Sequence, residues 1–407
     1  MTKKAKSAPS GVTLAKGYLA AGVRCGLKSR GEDLAVIFSQ TPAQAAAVYT
    51  RNQVCAAPIQ LCRKHLRRPT AQAVVVNAGI ANACTGPEGL ADAAEMAQRT
   101  AAALGLKPTE VLVASTGVIG QRLNQEKIRR GIEAACRSLS RGGSAEAARA
   151  IMTTDLAPKS AQRKITLGAQ KARVALGGIA KGSGMIHPNM ATMLAFLTTD
   201  AAIDARCLRR ALRSAVDETF NMITVDGDTS TNDMVLLLAN GRAAHCPITD
   251  FRSPEYESFR SALVDVCRDL SIQIARDGEG ATRLIRIDVE AARSRSDARA
   301  AAKSVAGSNL VKTAIFGKDP NWGRILCAVG YSKARVDPDK IQLWIGGHLV
   351  VQQGRPAETI DPQQLRQALE ADEVCLRVHL GQGRAAATAW TCDLTYDYIR
   401  INAEYHT

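Results

Sequence analysis

A threonine at position 192 is the residue of this sequence best placed to act as a nucleophile. It lies in residues 181–200, KGSGMIHPNMATMLAFLTTD, where a glycine-rich turn and a proline lead directly into an apolar strand. A threonine hydroxyl needs a base to take its proton. If the backbone is cut between Ala191 and Thr192, the new α-amino group of Thr192 supplies that base, because its reference pKa of about 7.7 to 8.0 leaves it substantially neutral near pH 7.

The same stretch contains residue types that permit the strained backbone which such a cut requires. Gly182, Gly184 and Pro188 are of this kind. The Thr192 hydroxyl would attack the carbonyl of Ala191 and give an ester that water then opens. The alternative is a loop that leads into a buried strand, with Thr192 as one strand threonine among several. Spacing alone favours this simpler interpretation.

The length and composition are those of a globular protein with one large domain or two domains. The chain has 407 residues, of which 46% are hydrophobic and 22% charged. No apolar run approaches the roughly 20 residues of a membrane helix. The basic start, MTKKAKSAPSG, lacks the apolar region of a secretory signal, so we expect a cytoplasmic protein that binds no membrane. The 11 cysteines are scattered and predict reduced thiols, and the six histidines show no metal-ligand spacing.

The formal charge of +15 raises nucleic acid as a partner. The basic residues are dispersed, however, with only short clusters at 63–68 and 206–213. Aromatic residues that could stack on bases make up only 4% of the chain. A solvated surface, or a site for small acidic metabolites, is therefore the preferred interpretation, and we expect no nucleic-acid partner.

Apolar periodicity predicts alternating strands and helices. The apolar run at 193–197 predicts a strand that is buried on both faces. A glycine-, proline- and tryptophan-containing stretch at 312–325 predicts a compact loop. The other predictions are strands at 34–38, 73–79 and 111–120 and near Ile341, Val350, Val374 and Ala387, and helices at 90–104, 125–140, 145–154, 203–216, 263–274, 297–312 and 363–370.

Two loops carry further candidate groups. In VLVASTGVIG, a strand leads into a loop with Ser115, Thr116 and Gly117, which could direct hydroxyl and backbone N–H groups at a developing negative charge. An ordinary strand exit explains the same pattern. Glu279 lies at a turn and is a candidate for holding an amine, although a solvated turn carboxylate is the simpler alternative.

An acidic run between two apolar segments suggests a possible cation site. Asp226, Asp228 and Asp233 carry the hard oxygen ligands that magnesium and calcium prefer. Their spacing does not fit an EF-hand loop, and such residues commonly serve in turns and caps. A structural role is therefore preferred, and no metal is expected.

Six motifs in order along the chain resemble the ornithine acetyltransferase family, which are glutamate N-acetyltransferases of arginine biosynthesis. The resemblance covers residues 11–407, nearly the whole chain. The motifs are KGSGMIHPNMATMLAFLTTD, VLVASTGVIG, TFNMITVDGDTSTND, DGEGAT, KTAIFGKDPNWGRI and CDLTYDYIRINAEYHT. With this resemblance the nucleophile interpretation of Thr192 becomes the preferred one.

The resemblance implies specific roles for residues of the site. The precursor would cut itself between Ala191 and Thr192, giving an α chain of residues 1–191 and a β chain of residues 192–407. Thr192 would be the nucleophile and, through its new amine, its own base, while Thr116 and Gly117 would form the oxyanion hole. Substrate contacts would come from Thr154 or the adjacent Thr153, and from Lys181, Thr192, Glu279, Asn402 and Thr407.

The resemblance also implies the reaction, fold and assembly. The acetyl group would pass from N2-acetyl-L-ornithine to L-glutamate through an acetyl-threonine ester, and bifunctional members also accept acetyl-CoA. The fold would be a mixed, layered α/β/β/α assembly of the self-cleaving N-terminal-nucleophile type, with the last strand folded back over the site. Two α and two β chains would form a heterotetramer, without a metal or organic cofactor.

Three positions depart from the family pattern. Ala78 and Ile80 lie in an early turn that is more polar in the family, and His187 stands where alanine is also common. None of them is a proposed nucleophile or oxyanion position. The remaining alternatives are a self-cleaving amidase or aminopeptidase that uses water as acceptor, and a basic binding protein without catalysis.

Overall fold

The computed structural model describes residues 8–168, 171–187, 193–358 and 361–404. Within these ranges the chain forms two mixed β-sheets with helices packed on and between them. The predicted layered α/β fold is therefore confirmed.

The first sheet is formed by eight of the described strands. They are β1 Tyr18–Val23, β2 Leu34–Tyr49, β3 Thr70–Ile80, β4 Val111–Val118, β5 Lys159–Leu167, β6 Ala172–Lys181, β7 Leu194–Thr199 and β8 Met234–Ala239. Their order is β4, β3, β2, β8, β7, β6, β5, and β1 pairs with β2. The pairs β3–β4 and β7–β8 are parallel, and the other pairs are antiparallel. Every residue of β7 and β8 is buried, which confirms the prediction for 193–197.

The second sheet contains six of the described strands. They are β9 Leu284–Ala292, β10 Gln342–Ile345, β11 His348–Gln352, β12 Arg355–Pro356, β13 Glu373–His379 and β14 Ala385–Cys392. Their order is β12, β11, β10, β13, β9, β14, with only β9 and β13 parallel. The four late strands predicted from the sequence are all present in this sheet.

Eleven α-helices occur in the described ranges. They are α1 Ala57–His65, α2 Gly86–Leu104, α3 Gln125–Ser138, α4 Ser144–Ala150, α5 Ala205–Glu218, α6 Pro254–Arg276, α7 Arg295–Ala306, α8 Asn309–Phe316, α9 Trp322–Gly330, α10 Pro362–Ala368 and α11 Tyr396–Glu404. Several begin at a side chain that accepts a hydrogen bond from the first turn, as Asp204 does for α5 and Ser253 for α6. None of these helices is long and apolar enough to cross a bilayer.

The largest apolar cluster joins the two sheets. On one face of the first sheet, side chains such as Leu197, Val235 and Leu237 pack with the buried faces of α5 and α6, and the cluster continues to Ile287 of the second sheet and to α7. A second cluster, on the other face of the first sheet, includes α4, and a third packs α2 and α3 against β2 and β3. Both sheets are therefore anchored by buried aliphatic side chains, as the low aromatic content requires.

Strands from distant parts of the chain end at one edge of the first sheet. Lys181, the last residue of β6, pairs with Leu194, the first residue of β7. Leu194 in turn pairs with Met234, the first residue of β8, which also pairs with Tyr49 at the end of β2. This edge therefore brings the two sides of the predicted cleavage site next to the acidic run before β8.

Two predictions about local structure were wrong. The stretch 312–325 is not a compact loop but the end of α8, a short connection and the start of α9. The side chains of Ser308 and Asn321 accept hydrogen bonds from the first turns of α8 and α9, and these caps favour helices that the glycine and proline content obscured. The segment that carries Asn402 is the helix α11, not a strand.

Candidate active site

A cleft of about 120 Å³ at this edge of the first sheet collects the residues that sequence analysis assigned to the site. They come from five stretches: Thr116 and Gly117 at the end of β4, Thr153 and Thr154 after α4, Lys181 in β6, Glu279 after α6, and Asn402 in α11. Met193, which directly follows Thr192 in the sequence, also lines the cleft. Ala191, Thr192 and Thr407 lie outside the described residues, so their roles stay predictions.

The end of β4 requires glycine at position 117. Gly117 has a φ of 128°, a backbone conformation that residues with a side chain rarely adopt. A Cβ at this position would lie 2.2 Å from the carbonyl carbon of Gly79 and 2.6 Å from the backbone nitrogen of Ile80. The backbone of β3 thus packs directly against Gly117, whose own backbone faces the cleft where an oxyanion hole is predicted.

Two buried asparagines hold the loop next to Thr116. The Ser115 hydroxyl donates to Oδ1 of Asn77 at 2.6 Å. The amide nitrogen of Asn232 donates to the backbone carbonyls of Ala81 at 2.5 Å and of Ser115 at 2.8 Å. Because these bonds tie the β3 and β4 ends to the segment before β8, Thr116 keeps a fixed position in the cleft.

Lys181 places a positive charge beside the Thr116 hydroxyl. Its Nζ donates to Thr116 Oγ1 at 3.4 Å, and only 8% of the residue is exposed. Burial lowers the pKa of Lys181, and the negative charge of Asp155 opposes that effect. Lys181 lines the cleft, so a carboxylate or an oxyanion bound there can contact its amino group.

Asp155 organises the backbone on the Lys181 side of the cleft. Its Oδ1 accepts hydrogen bonds from the N–H of Gly182 and from Nζ of Lys159, both at 2.7 Å, and its Oδ2 accepts from the N–H of Thr153 at 3.0 Å. Burial raises the pKa of Asp155, but the charges of Lys181 and Lys159 and these hydrogen bonds outweigh it and lower the pKa to about 2. Asp155 is therefore ionised at neutral pH.

Lys159 connects Asp155 to the other side of the cleft. Its Nζ lies 2.5 Å from Oδ2 of Asp277, and the side chain is 2% exposed. The same oxygen of Asp277 accepts from the N–H of Leu156 at 3.1 Å, and the Asp277 carbonyl accepts from the Ser183 hydroxyl at 2.6 Å. Sequence analysis missed this network because Asp277 lies 118 positions from Lys159 along the chain. The only sequence feature that pointed to it was an acidic residue beside two of the segments that line the cleft. Asp155 follows Thr154, and Asp277 precedes Glu279.

Glu279 contributes a carboxylate to the cleft. Its N–H donates to the Ser183 carbonyl at 3.1 Å, and its Oε2 accepts from the side-chain amide of Asn402 at 2.9 Å. A Cβ on Gly184 would lie 2.3 Å from this oxygen, so glycine is needed where the carboxylate meets the backbone. Asn402 is the one hydrogen-bond donor to this carboxylate found among the described side chains, and one amide leaves it able to accept from a cationic amine.

Asp226, the first acidic residue of the run, has the structural role that was preferred for these residues. Asp226 accepts hydrogen bonds from the N–H groups of Met185 at 2.6 Å and Ile186 at 2.8 Å, which fixes the backbone before the predicted cleavage site. In the described ranges no three metal-binding side chains come together. His187 Nδ1 lies 3.0 Å from the Thr224 hydroxyl, and burial lowers the pKa of His187 to about 4, so its ring is neutral at pH 7.

The cleft thus combines two opposite charges with a loop suited to anion stabilisation. Lys181 and Glu279 can bind a zwitterionic or amino-acid substrate by its charged ends. Thr116 and Gly117 line the same cleft, with the Thr116 hydroxyl 3.4 Å from Nζ of Lys181, and can stabilise the oxyanion of an acyl-transfer intermediate. These groups suit acyl transfer between amino acids.

Comparisons with known proteins agree with this chemistry. The ArgJ family matches residues 19–407. The chain belongs to the ArgJ family. Over 400 residues it is 52% identical to the arginine biosynthesis bifunctional protein ArgJ of Symbiobacterium thermophilum, with 98% of each chain covered. It is 48% identical over 397 residues to the Bacillus subtilis protein of the same name, covering 97% of this chain and 96% of that one.

A solved ArgJ structure also matches. The crystal structure of ArgJ from Bacillus halodurans has 49% sequence identity to this chain and a TM-score of 0.51. The match covers 53% of this chain and all of the crystallised chain. Membership of the ArgJ family confirms the resemblance found in the motifs, and the chain is an acetyltransferase of arginine biosynthesis.

Proposed function

We propose that this ArgJ protein moves the acetyl group of N2-acetyl-L-ornithine to L-glutamate through an ester on Thr192, after cutting itself between Ala191 and Thr192. One observation carries the proposal. A single cleft is lined by Thr116, Gly117, Lys181, Glu279 and Asn402, together with the residue that directly follows Thr192.

Self-cleavage begins with attack of the Thr192 hydroxyl on the Ala191 carbonyl carbon. The peptide nitrogen leaves that carbon and gains a proton, so an ester joins the two halves. Water then hydrolyses the ester, which leaves a carboxylate on Ala191 and a free amine and hydroxyl on Thr192. Residues 192–407 make up 216 of 407 residues, or about 53%. The crystallised Bacillus halodurans chain covers the same share of this chain, and this supports the division.

Acetyl transfer then proceeds in two half-reactions. The Thr192 hydroxyl gives its proton to its own α-amine and attacks the acetyl carbonyl of N-acetylornithine. Thr116 and Gly117 stabilise the oxyanion, and ornithine leaves after its nitrogen takes the proton from the Thr192 ammonium. The amine of glutamate attacks the ester in the same way, and N-acetylglutamate departs as the Thr192 hydroxyl is restored.

The charged walls of the cleft suit both substrates. The Glu279 carboxylate pairs with the side-chain ammonium of ornithine, while Lys181 pairs with a substrate carboxylate. Asn402 holds Glu279 in place at 2.9 Å, and Thr154 adds a hydroxyl beside the substrate. Thr407 is proposed to complete the pocket on the ground of the family resemblance.

Four further properties belong to this proposal. Acetyl-CoA serves as a second acetyl donor, which accords with the word bifunctional in the names of the relatives. The mature protein is a heterotetramer of two α and two β chains, acts in the cytoplasm, and uses no metal or organic cofactor.

The substitution Thr192→Ala tests the proposal. We expect an uncut chain of 43.3 kDa in the mass spectrum and no transfer of acetyl from N-acetylornithine to glutamate, because both steps use the same hydroxyl. Thr192→Ser, which keeps a hydroxyl, is the matched control and should retain cleavage. A cleaved or active alanine variant would overturn the mechanism. Ornithine release by the native protein at the same rate with and without glutamate would instead indicate a hydrolase.

A further inference from the structure

Four arginines form one exposed face of α5. Arg206, Arg209, Arg210 and Arg213 recur at helical spacing on the side of α5 that faces away from its buried residues. Like charges at this spacing repel one another and destabilise a helix. Bound anions that neutralise these charges would relieve the repulsion.

Two adjoining depressions extend from this face, and together we call them the arginine groove. The first, of about 570 Å³, also contains Arg295 and Arg299 from α7. The second, of about 480 Å³, also contains Arg51 and Arg63. Arg209 and Arg213 line both depressions, so the groove is continuous along α5.

The centre of the groove lacks carboxylates. Within the described part of the chain, no aspartate or glutamate lies within ion-pair distance of Arg51, Arg63, Arg209 or Arg213. Two acidic residues, Asp217 and Glu218, line the first depression, where Glu218 accepts from Arg260 and Arg295, both at 3.2 Å. The groove therefore presents unneutralised guanidinium groups, with carboxylates only in the first depression.

Aromatic rings hold several of these guanidinium groups. Arg210 lies 4.2 Å from the ring centroid of Phe251, and Arg206 lies 5.9 Å from the same ring. Arg63 lies 5.4 Å from the ring centroid of Tyr49. Contact with a ring restrains each guanidinium group. One terminal nitrogen of Arg63 and one of Arg206 also donate to backbone carbonyls, of Thr50 and Thr249, and the remaining N–H groups can bind phosphate. Because arginines cover these rings, the rings are not available to stack on the bases of a nucleic acid.

The groove shares a wall with the active cleft. Thr50 and Asn52 line the second depression. The Thr50 hydroxyl donates to the carbonyl of Ser230 at 2.9 Å, and the Asn52 amide donates to the carbonyl of Thr229 at 2.9 Å. Ser230 itself lines the active cleft. A ligand with an anionic head in the groove and an extended arm is thus led toward the acyl-transfer residues.

We propose that the arginine groove binds the phosphates of a nucleotide-bearing acyl thioester, acetyl-CoA, while its acyl arm enters the cleft. This inference rests on the proposed function, in which acetyl-CoA is the second donor. The Thr192 oxygen forms a bond to the thioester carbonyl carbon and the C–S bond breaks. The thiolate of CoA takes the proton held by the Thr192 amine, so the acetyl-threonine ester and free CoA thiol result.

The double substitution Arg209→Gln and Arg213→Gln tests this site. Loss of two charged phosphate contacts should raise KM for acetyl-CoA and Kd for free CoA, the latter by calorimetry, by about 10- to 100-fold. KM for S-acetylpantetheine, which lacks phosphate, should move by less than about twofold. The matched control is Arg366→Gln with Arg384→Gln, which removes the same charge from two exposed arginines outside the groove.

Each outcome of this test either supports or refutes the proposed CoA site. Equal losses in the control pair, or equal effects on acetyl-CoA and S-acetylpantetheine, would show a general charge effect and overturn the site. Native protein that transfers acetyl from N-acetylornithine but neither uses nor binds CoA would refute the groove and leave the main reaction intact. Native protein inactive with both donors would refute the proposed function itself.

Discussion

The substitution Lys159→Met should destabilise the protein strongly, because Lys159 neutralises two buried carboxylates. The side chain of Asp155 is fully buried and that of Asp277 is 13% exposed, and both accept from Lys159 Nζ. Methionine preserves most of the length and apolar stem of lysine. The change therefore removes the charge and its hydrogen bonds while leaving the packing nearly intact.

The expected cost follows from these contacts. Breaking a buried ion pair by removing one partner costs about 3–5 kcal/mol of the free energy of unfolding, because a charge is left buried without compensation. Lys181 still faces Asp155 and favours the lower part of that range. Lys164→Met on the same strand is the matched control, since Lys164 is exposed and should change stability by no more than about 0.5 kcal/mol.

Urea unfolding followed by far-ultraviolet circular dichroism measures both variants. The midpoint should fall for Lys159→Met and stay near the native value for Lys164→Met, with similar slopes. In the native protein the pKa of Asp155 is about 2, below the usual value of 3.8. Its stabilisation is therefore complete above about pH 4 and is lost as pH falls through 2. A Lys159→Met variant within 1 kcal/mol of the control would refute this account of the network.

Two other predictions concern the cleft and the segment before Thr192. Gly117→Ala should lower kcat by at least about 10² to 10³, because a Cβ would displace the β3 backbone and the oxyanion loop. Steady-state kinetics should show a much smaller loss for Gly120→Ala, since Gly120 also has a positive φ of 82° but open space around it; equal losses would refute the steric argument. Burial lowers the pKa of His187 from 6.5 to about 4 in the folded protein. Between pH 6.5 and 4 the histidine therefore binds a proton more readily in the unfolded chain, so the free energy of unfolding falls as pH falls through that range. His187→Gln should reduce the difference between the unfolding midpoints at pH 7.5 and 4.5, and an unchanged difference would contradict the burial of a neutral ring.

Much of the cleft could be predicted because its residues lie in motifs with local signatures. Thr116 and Gly117 follow an apolar strand, and Lys181 begins the glycine-rich stretch before Thr192. Glu279 lies at a turn marked by glycine. The apolar run that became β7 was equally clear, since a strand buried on both faces needs no alternation.

The supporting network could not be predicted, because it depends on tertiary pairing. Lys159 and Asp277 are 118 positions apart and meet only when β5 packs against the end of α6. The C-terminal helix could not be predicted either, since no residue of α11 is buried and apolar periodicity therefore provides no signal there. Apolar periodicity locates elements that are buried, and it says little about those that are not.

The strand order of the first sheet has a consequence for the folding of the mature protein. A cut after Ala191 assigns β2 and β6 to one fragment and β7 and β8 to the other. The adjacent strands β7 and β8 of the second fragment therefore lie between β2 and β6 of the first. Six residue pairs join β8 to β2 and six join β7 to β6. The uncut chain refolds in a unimolecular reaction whose rate is independent of concentration. After the cut, two separate molecules must find each other and interleave, so refolding becomes bimolecular and dilution opposes it.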